Sequence, residues 1–388
     1  MSEPPGSIPD HPRSEPVSRT SLQTSAPASR TPLKKIVALG GEGIGIEVVD
    51  ATCELLTAAG FPLTVLMPPH GESARRSHGS PLPDETRRLC GEADGVLFGA
   101  AGSPASSAVV SYLRWQQDAY AGVRPVKYYR GAASPLANPE GIDFVVLREN
   151  SEGLYPGREG DLADLRRVMP ELADRTGRRV ADYGEGRFAV KIVTRNGAER
   201  IARFACELTR RRRARGHAGR LTCVTKSNVL RLSDGLFREV VEEVVKGYPE
   251  LTYEHFHVDD AARRLLRFPQ SMDVVLCMNL YGDVLSDLAA EAAGGLGMAP
   301  SGCFGDRWAY FESVHGSAPD IAGRSIANPT ATILSSVMML EHMGLVAEAA
   351  RLEAAVARVY RDGKHLTRDQ GGTATTRELC RAVLDALT

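Results

Sequence analysis

Two acidic residues four positions apart form a candidate cation site. Asp283 and Asp287 occur in NLYGDVLSDLAAE, at the start of a predicted helix, so their carboxylates project from one helix face about one turn apart. Hard oxygen ligands arranged in this way suit Mg²⁺ or Mn²⁺ better than zinc. Helix capping explains the same spacing equally well, because acidic side chains near a helix N-terminus also favour the helix dipole.

Three arginines form a candidate anion site. Arg114 and Arg124 occur in LRWQQDAYAGVRPVK and Arg148 occurs in VVLREN, each beside a predicted strand or helix end. Guanidinium groups bind carboxylates through paired hydrogen bonds, so three in one place would suit a substrate with two or three carboxylates. Any one of them alone is better explained as a solvated surface charge. Only their convergence favours the binding hypothesis.

Two loops are candidates for nucleotide binding. The glycine loop GGEGIG, residues 40–45, lies between a predicted strand and a predicted helix, but Ile46 stands where GxGxxG requires its third glycine. The ordinary dinucleotide fingerprint is therefore absent, and a tight strand-to-helix turn is the simpler interpretation. The second loop, VHGSAPDIAG, carries His315 and Asp320. A carboxylate there would accept a hydrogen bond from a ribose hydroxyl, although an ordinary turn also explains this segment.

Short β-branched runs that alternate with amphipathic helices must position these residues. The helical pattern covers residues 46–59, 196–213 and 236–245, and the final third of the chain predicts helices over 331–343, 348–360 and 377–387. The alternation predicts an α/β fold. The predicted strands are KIVALG, FPLTVLM, GVLFGA, FVVLREN, RFAVKIVTR, LTCVTKS, TYEHFHV and DVVLCMN.

Composition narrows the function classes. The 388 residues carry a formal charge of −1, so no overall basic field attracts nucleic acid or an anionic membrane. No run approaches the roughly 20 apolar residues of a membrane span, and no secretory signal pattern opens the chain. Seven scattered cysteines without a CxxC pair indicate a reducing, cytoplasmic location. Residues 1–32 are rich in Ser and Pro and predict a disordered tail.

In their order along the chain, these motifs resemble the β-decarboxylating dehydrogenases, a family that includes isocitrate, homoisocitrate, 3-isopropylmalate and tartrate dehydrogenases. GEGIGIEV is similar to the family's glycine loop, LRENSEGLYPG to its RENTEGLY segment, VTKSNVLRLSDGLF to its KANVL segment, and ESVHGSAPDIAGRSIANPTA to its nucleotide segment. The resemblance extends from about Lys35 to the C-terminus. It implies a two-domain isopropylmalate dehydrogenase-like fold with a mixed central sheet, which is not a standard Rossmann fold.

The same resemblance implies a domain division. Residues 33–119 plus 294–388 would form an outer, cofactor-side domain, and residues 120–293 would form an inner domain for dimerisation and the metal site. The active unit would be a homodimer with shared active sites.

The resemblance further implies the reaction, an NAD-dependent and divalent-metal-dependent oxidative decarboxylation of a 3-substituted malate to a 2-oxo acid and CO₂. The three arginines would clamp the carboxylates of this small di- or tricarboxylate substrate. Asp283 and Asp287, with Asp259 of the partner subunit, would hold Mg²⁺ or Mn²⁺. Lys226 of the partner subunit would act as the base for the hydroxyl proton, and Tyr155 would protonate the enol carbon.

The cofactor is expected to be NAD. Relatives that use NADP carry a basic residue at the position of Asp320, whereas a carboxylate accepts from the adenosine 2′-hydroxyl and repels a 2′-phosphate. Asn228 is expected near the nicotinamide. The other positions that match cofactor-side residues of the family are Glu312, His315, Gly316, Ser317, Ala318, Ile321 and Asn328.

This chain departs from the family pattern at Glu42, Ile46 and Ser313, which replace an Asp and two prolines. In the specificity segment SPASSAVVSYLR, the leucines of isopropylmalate enzymes are absent, and Ser111 stands where homoisocitrate enzymes have an arginine. With Ser107 and Val110, it forms the expected contact with the substrate's γ-substituent.

An isocitrate-like or homoisocitrate-like acidic substituent is favoured in this pocket, with 3-isopropylmalate or a specialised malate analogue as alternatives. A non-catalytic regulatory subunit is the alternative of another class. The catalytic positions Arg114, Tyr155, Lys226 and Asp283 are all retained, which favours an enzyme.

Overall fold

A computed structural model describes residues 33 to 387, so the tail predicted over residues 1–32 lies outside the described residues. In the described part, twelve strands, numbered β1 to β12 in chain order, form a ten-stranded sheet and a separate two-stranded sheet. Their bounds are Lys34–Gly41, Leu63–Leu66, Gly95–Ala100, Ala121–Lys127, Asp143–Glu149, Glu159–Asp161, Arg187–Ala189, Arg220–Thr225, Thr252–His257, Val274–Cys277, Pro300–Phe304 and Ala309–Ser313.

Helices cover most of the remaining described chain. The α-helices are numbered α1 to α12, and one short π-helix, Tyr112–Gln116, follows α4 directly. The α-helices span Ile44–Ala58, Gly71–His78, Asp84–Glu92, Pro104–Ser111, Leu162–Val168, Arg195–Ala214, Ser233–Val245, Val258–Arg267, Asn279–Ala293, Thr330–His342, Val346–Asp362 and Thr376–Asp385.

The large sheet is mixed, as the family resemblance implied. Its strand order is β2-β1-β3-β12-β11-β4-β5-β10-β8-β9. The first four strands pair in parallel and so do the last four, whereas β11 and β4 join the two halves through antiparallel pairs. An α/β fold with a mixed central sheet is therefore confirmed. This one sheet contains strands from both predicted domains. The domain division at residues 119–120 and 293–294 stays a prediction.

The parallel half of the sheet brings four strand ends to one edge. Because β5, β10, β8 and β9 run in the same direction, their carboxyl ends lie together, which is where open α/β sheets bind ligands. Arg148 is the second-last residue of β5. Asn279, Lys226 and Asp259 each follow within two residues of the end of one of the other three strands. The fold thus gathers residues that are more than 100 positions apart in the chain.

Three parts of the predicted element pattern were wrong. RFAVKIVTR is not a strand of the large sheet, because only Arg187–Ala189 is extended and it pairs with Glu159–Asp161 in the small sheet. The central strand Ala121–Lys127 was missed because Gly122 and Pro125 interrupt its apolar pattern. The hairpin of Pro300–Phe304 and Ala309–Ser313 was missed because glycine and serine dilute its β-branched character.

All seven cysteines are buried and free. Among residues 33–387, no helix combines the length and apolar character needed to cross a membrane. The cytoplasmic location stays a prediction.

A buried ion pair fixes α6 against the start of β10. Asp273 accepts hydrogen bonds from Arg212 Nε at 2.6 Å and from the backbone amides of Gly219 and Arg220 at 2.7 and 3.1 Å. The carboxylate is buried, and these donors replace the water molecules that it loses on folding. This pair lies apart from the strand ends that carry the candidate site residues.

We expect Asp273→Asn to lower the free energy of unfolding by about 2–3 kcal/mol, because a buried guanidinium and two amides lose a charged acceptor. Urea unfolding followed by circular dichroism measures the change. Asp94→Asn is the control, since its ion pair with Lys34 is half-exposed and is worth less than about 1 kcal/mol. Equal losses in the two variants would contradict the assignment.

Candidate active site

Two of the three predicted arginines contact the carboxylate of Asp283, and the third, Arg114, lies near them. Arg148 Nη1 donates to Asp283 Oδ1, and Arg124 Nη1 lies 3.3 Å from the same oxygen. Arg114 is close enough for its charge to act on both Asp283 and Arg148. Burial would raise the pKa of Asp283, but Arg148, the Tyr155 hydrogen bond and Arg124 outweigh it and hold that pKa below its usual value. The arrangement is a cationic pocket with a carboxylate at its centre.

Neighbouring elements of the sheet place these arginines. Arg124 lies in the middle of β4 and Arg148 near the end of β5, which is the antiparallel neighbour of β4. Arg114 lies in the π-helix after α4, and such widened turns occur frequently at functional sites. Three separate elements therefore place guanidinium groups in one region, two of them on Asp283 and the third on Glu312.

Asn279 holds the Arg148 side chain, and sequence reasoning missed it. Its Oδ1 accepts from Arg148 Nε at 3.0 Å and from Nη2 at 2.8 Å. Gly282 allows this approach, because a Cβ there would lie 2.7 Å from Arg148 Cγ. Arg148 is only 2% exposed, and burial together with the charges of Arg124 and Arg114 lowers its pKa to about 10. The polar Asn279 directly after an apolar strand was the signal in the sequence.

Tyr155 completes the immediate surroundings of Asp283. Its hydroxyl donates to Asp283 Oδ2, and the Arg148 guanidinium lies 4.4 Å from the centre of its ring. Burial and the Asp283 hydrogen bond raise the pKa of Tyr155. The phenol is therefore protonated at neutral pH and is able to donate a proton.

Asp283 and Asp287 lie on one face of α9, and their chemistry fits a divalent cation. Arg124 Nη1 is 3.8 Å from Asp287 Oδ1. Burial raises the pKa of Asp287, and the Asp283 charge adds to this increase against the opposing effect of Arg124. A cation between the carboxylates would relieve their repulsion, and both supply the oxygen ligands that Mg²⁺ and Mn²⁺ prefer. Within residues 33–387, no cluster of three or more His, Cys, Asp or Glu side chains is arranged to hold a metal.

Lys226 and Asp259 form a second polar pair at the adjoining strand ends. Lys226 follows β8, Asp259 lies in the first turn of α8 after β9, and the Lys226 ammonium donates to the Asp259 carboxylate. In the described chain, neither side chain shares a hydrogen bond or ion pair with Asp283 or Asp287. Asn228, two residues beyond Lys226, is exposed. One chain therefore brings the predicted groups together as two separate clusters.

Glu312 is directed to the arginine pocket. Its Oε1 accepts from Arg114 Nη2 at 2.9 Å, and Arg114 Nε donates to Tyr310 at 3.2 Å. Burial would lower the pKa of Arg114, but Tyr310 and Glu312 raise it well above the usual value. Glu312 thus keeps Arg114 charged within the protein interior.

A cavity of about 340 Å³ lies beside the predicted nucleotide loop, and its volume is within the range of about 300–1,000 Å³ typical of small-molecule sites. Of the predicted cofactor residues, His315, Ile321 and Asn328 line it, whereas Gly316, Ser317, Ala318 and Asp320 lie in the adjoining loop. Sequence reasoning missed the rest of the lining, because those residues come from segments without a recognisable spacing. The missed residues are Ile44, Gly297, Arg324, Ile326, Ala327, Arg368 and Asp369.

His315 leaves an unpaired polar atom at this cavity. Its Nδ1 is 3.0 Å from the Gly316 carbonyl, which only accepts, so Nδ1 carries the proton. Burial lowers the pKa of His315, so the ring is neutral and Nε2 is an acceptor. Nε2 is buried without a partner among the described residues. A ligand with an N–H or O–H donor, such as an adenine amine, would satisfy it.

The glycine loop contacts the predicted nucleotide loop through the backbone. Ile44 N donates to the Ser317 carbonyl at 2.9 Å. Gly43 has φ 60°, and a Cβ there would lie 2.0 Å from that carbonyl, so only glycine fits. Ala318 also has a positive φ, 39°, and this kind of strain is concentrated at functional sites.

The departures from the family pattern have local explanations at two positions. The Glu42 carboxylate accepts from Ser103 Oγ at 2.5 Å, which joins the glycine loop to the start of α4. The buried hydroxyl of Ser313 is 2.7 Å from Thr332 Oγ1, so it is satisfied. Ile46 is exposed on α1, and nothing in the structure explains its replacement of proline.

The predicted substrate-selecting residues lie on α4 and lead into the π-helix. Ser107 is exposed, whereas Val110 and Ser111 are half-buried. Ser111 Oγ donates to the Ser107 carbonyl at 2.9 Å, so the Ser111 hydroxyl oxygen is still free to accept a hydrogen bond. The helix presents no basic side chain between residues 103 and 113.

Comparison with known proteins matches this architecture. The model of the isocitrate/isopropylmalate dehydrogenase family matches residues 35–385. A 3-isopropylmalate/3-methylmalate dehydrogenase of Methanocaldococcus jannaschii is 42% identical over 352 residues, which cover 90% of this chain and 98% of that protein. An isocitrate/homoisocitrate dehydrogenase of Thermus thermophilus is 40% identical, with 91% and 98% coverage. The solved isocitrate dehydrogenase of Methylococcus capsulatus superposes with a TM-score of 0.79 at 34% identity, covering 92% of this chain and 99% of that one.

We expect Arg148→Lys to weaken binding of a malate-type dicarboxylate in the presence of Mg²⁺ by about 10- to 100-fold, because lysine cannot reproduce the guanidinium fork. Isothermal titration calorimetry measures the affinity. Arg212→Lys is the matched control, since it alters another largely buried arginine that pairs with Asp143 and Asp273. Retained affinity in Arg148→Lys, or the same loss in the control, would refute this assignment.

Proposed function

The chain belongs to the isocitrate/isopropylmalate dehydrogenase family, and from this premise we propose that it catalyses the NAD-dependent, divalent-metal-dependent oxidative decarboxylation of a 3-substituted malate. The contacts of Arg148 and Arg124 with Asp283, with the charge of Arg114 nearby, carry the proposal. A cation next to several guanidinium groups binds a hydroxy acid that has carboxylates on both sides of its hydroxyl. A purely structural role would leave this polar cluster unexplained.

The arginines orient the substrate in this proposal. Arg148 is rigidly held by Asn279 and Arg114 by Glu312, so both guanidinium groups are positioned before a ligand arrives. Arg124 donates to Ser286 Oγ at 2.5 Å and is likewise fixed. Preorganised donors reduce the entropy that binding costs. The clamp would present the hydroxyl-bearing carbon to the cofactor and the second carboxylate for loss as CO₂.

Two side chains would move protons. Lys226 of the partner subunit would accept the hydroxyl proton as the carbonyl forms. After the bond to the departing carboxylate breaks, Tyr155 would deliver its phenolic proton to the carbon that lost CO₂. When bound at Asp283, Asp287 and Asp259 of the partner subunit, Mg²⁺ or Mn²⁺ would supply charge neutralisation, and NAD would take up the hydride.

The adenosine part of NAD is assigned to the 340 Å³ cavity. The unpaired Nε2 of His315 supports this assignment, as does Asn328, which Asp369 and Tyr360 hold through hydrogen bonds of 2.8 and 3.1 Å. Asp320 is exposed in the adjoining loop, where its negative charge would disfavour a 2′-phosphate. All the residues that line the 340 Å³ cavity lie in residues 33–119 and 294–388, which agrees with the proposed cofactor-side domain.

An acidic γ-substituent, as in isocitrate or homoisocitrate, is our preferred substrate feature. Ser107 and Ser111 supply hydroxyl groups near the first arginine, and the family's leucines are missing there. The second candidate is 3-isopropylmalate, which the 42% identity to the Methanocaldococcus jannaschii enzyme and the apolar Val110 favour.

A homodimer with shared sites accounts for the exposed apolar surface. Most of the large apolar side chains exposed in residues 33–387 lie between positions 168 and 284 of the sequence. We assign them to the interface between two copies of this chain, because contiguous exposed apolar side chains mark interaction surfaces. They include Val168, Met169, Leu172, Val229, Leu230, Leu232, Leu266, Phe268, Leu280 and Val284.

We expect reduced nicotinamide to form from isocitrate, homoisocitrate or 3-isopropylmalate with NAD, and only with Mg²⁺ or Mn²⁺ present. Absorbance at the reduced-nicotinamide band is the measurement, with NADP, tartrate and malate as comparison reagents. Asp283→Ala should abolish turnover because it removes a metal ligand and the partner of Arg148. Glu291→Ala on the same helix is exposed and serves as the control. Turnover that persists in Asp283→Ala would refute the metal assignment.

The sharing of sites predicts complementation between two inactive variants. Lys226→Met and Asp283→Ala should each be inactive alone. A mixed dimer would contain one intact site, with Asp283 from one chain and Lys226 from the other. Refolding equal amounts together should restore about a quarter of wild-type activity, because half of the dimers are mixed. No recovery, with mixed dimers verified by two affinity tags, would show that Lys226 serves its own chain.

A further inference from the structure

Asp234 is a fully buried carboxylate that joins three segments near the candidate site. It lies in the first turn of α7 and is 0% exposed. Its Oδ1 accepts from the Lys191 ammonium, and its Oδ2 accepts from the Lys226 backbone amide at 2.7 Å and from the Tyr281 hydroxyl at 3.1 Å. One side chain therefore connects the segment after β7, the turn after β8 and the start of α9.

The cluster is stable only as a unit. A buried carboxylate is costly unless it is paired and hydrogen-bonded, and here Lys191 supplies the charge while Tyr281 and the amide supply the remaining hydrogen bonds. The Lys191 ammonium also lies 5.1 Å from the centre of the Tyr281 ring. Because each partner satisfies another, displacement of one segment disturbs all three.

Asp234 fixes the backbone position of Lys226, from which the lysine side chain extends. The strand β8 ends at Thr225, so the Lys226 amide has left the sheet and requires another acceptor. Asp234 supplies it, and the Lys226 carbonyl accepts from Val229 N and Leu230 N at 2.9 Å each. The lysine backbone is thus fixed at both ends, while its ammonium extends to Asp259.

Asp234 also fixes the first turn of α9. Tyr281 precedes Asp283 by two residues, and the helix N-cap, Met278, makes no side-chain capping bond. The Tyr281 hydroxyl bond therefore anchors a turn that lacks the usual cap. Any rotation of this turn would move the Asp283 carboxylate relative to Arg148.

We propose that Asp234 is a positioning residue that links, within one chain, the lysine serving one active site to the helix that carries the metal carboxylates of the other. The inference rests on the proposed function, in which Lys226 acts in the partner's site and Asp283 in its own. Neutralising Asp234 in one chain of a dimer would then impair both sites.

A merely structural role is the competing explanation, and Asp273 is the matched control for it. Asp273 is equally buried, pairs with a basic side chain and accepts from two backbone amides, but it contacts no candidate site residue. The Asp273→Asn variant should unfold more easily than the wild type and have the same kcat.

The first test is hydrogen–deuterium exchange of the metal-free proteins, which requires no turnover. Asp234→Asn should increase exchange together in residues 226–232 and 279–287, and Asp273→Asn in neither. Tyr281→Phe should increase exchange in residues 279–287 alone and weaken Mn²⁺ binding, measured by electron paramagnetic resonance. Unchanged exchange in residues 279–287 of Tyr281→Phe would overturn the proposal even if Asp234→Asn fails to fold.

The second test measures turnover in tagged mixed dimers. Asp234→Asn should lower kcat by about 10²-fold, as small misplacements of catalytic groups do. It should leave the affinity for ADP, a probe of the adenosine cavity alone, within twofold, because neither Asp234 nor a hydrogen-bond partner of Asp234 lines that cavity. A wild-type chain paired with Asp283→Ala should retain about half of wild-type turnover, whereas one paired with Asp234→Asn should fall well below half. Retention of half by the latter would refute the link. An inactive wild type would instead refute the proposed function, and the exchange result would still stand.

Discussion

The ionic contact between Arg148 and Asp283 is the interaction on which the candidate site depends. Burial, and then the charges of Arg124 and Arg114, depress the pKa of Arg148 to about 10, because a cation loses its hydration in the interior and is repelled by its two cationic neighbours. Asp283 offsets that cost, and Asn279 prevents Arg148 from turning away. The pocket therefore depends on a balance between its guanidinium groups and the Asp283 carboxylate.

The antiparallel strands at the centre of the sheet make this balance possible. In a wholly parallel sheet, neighbouring strands run in the same direction, so side chains at one edge of the sheet all follow the carboxyl ends of strands. Here β4 runs against β5, so Arg124 and Arg148 approach from opposite chain directions, and the hairpin of β11 and β12 brings Glu312 beside Arg114. The mixed topology thus lets the nucleotide-side segments and the carboxylate-bearing helix meet at one place.

The sequence predicted the periodic elements and the types of site residues, but not the contacts between them. The buried runs of β1 and β3 and the amphipathic α6 were readable because their patterns are local. The strand β4 was not, because glycine and proline interrupt it, and neither was Asn279 as the holder of Arg148. Arg368 and Asp369 reach the nucleotide cavity from a segment about 40 residues beyond Asn328, so only tertiary packing reveals them.

The distribution of polar groups over one chain argues that its chemistry requires a second. Asp283 and Asp287 place two carboxylates on a half-exposed face, and the described chain adds no third metal-ligating side chain to form a cluster with them. Asp259 is a highly exposed carboxylate held by Lys226, and Leu232 beside that pair is 90% exposed. An incomplete ligand set, an exposed acid and base, and uncovered apolar side chains in the same region have a common explanation if one protomer's Lys226 and Asp259 complete the carboxylate site of its partner.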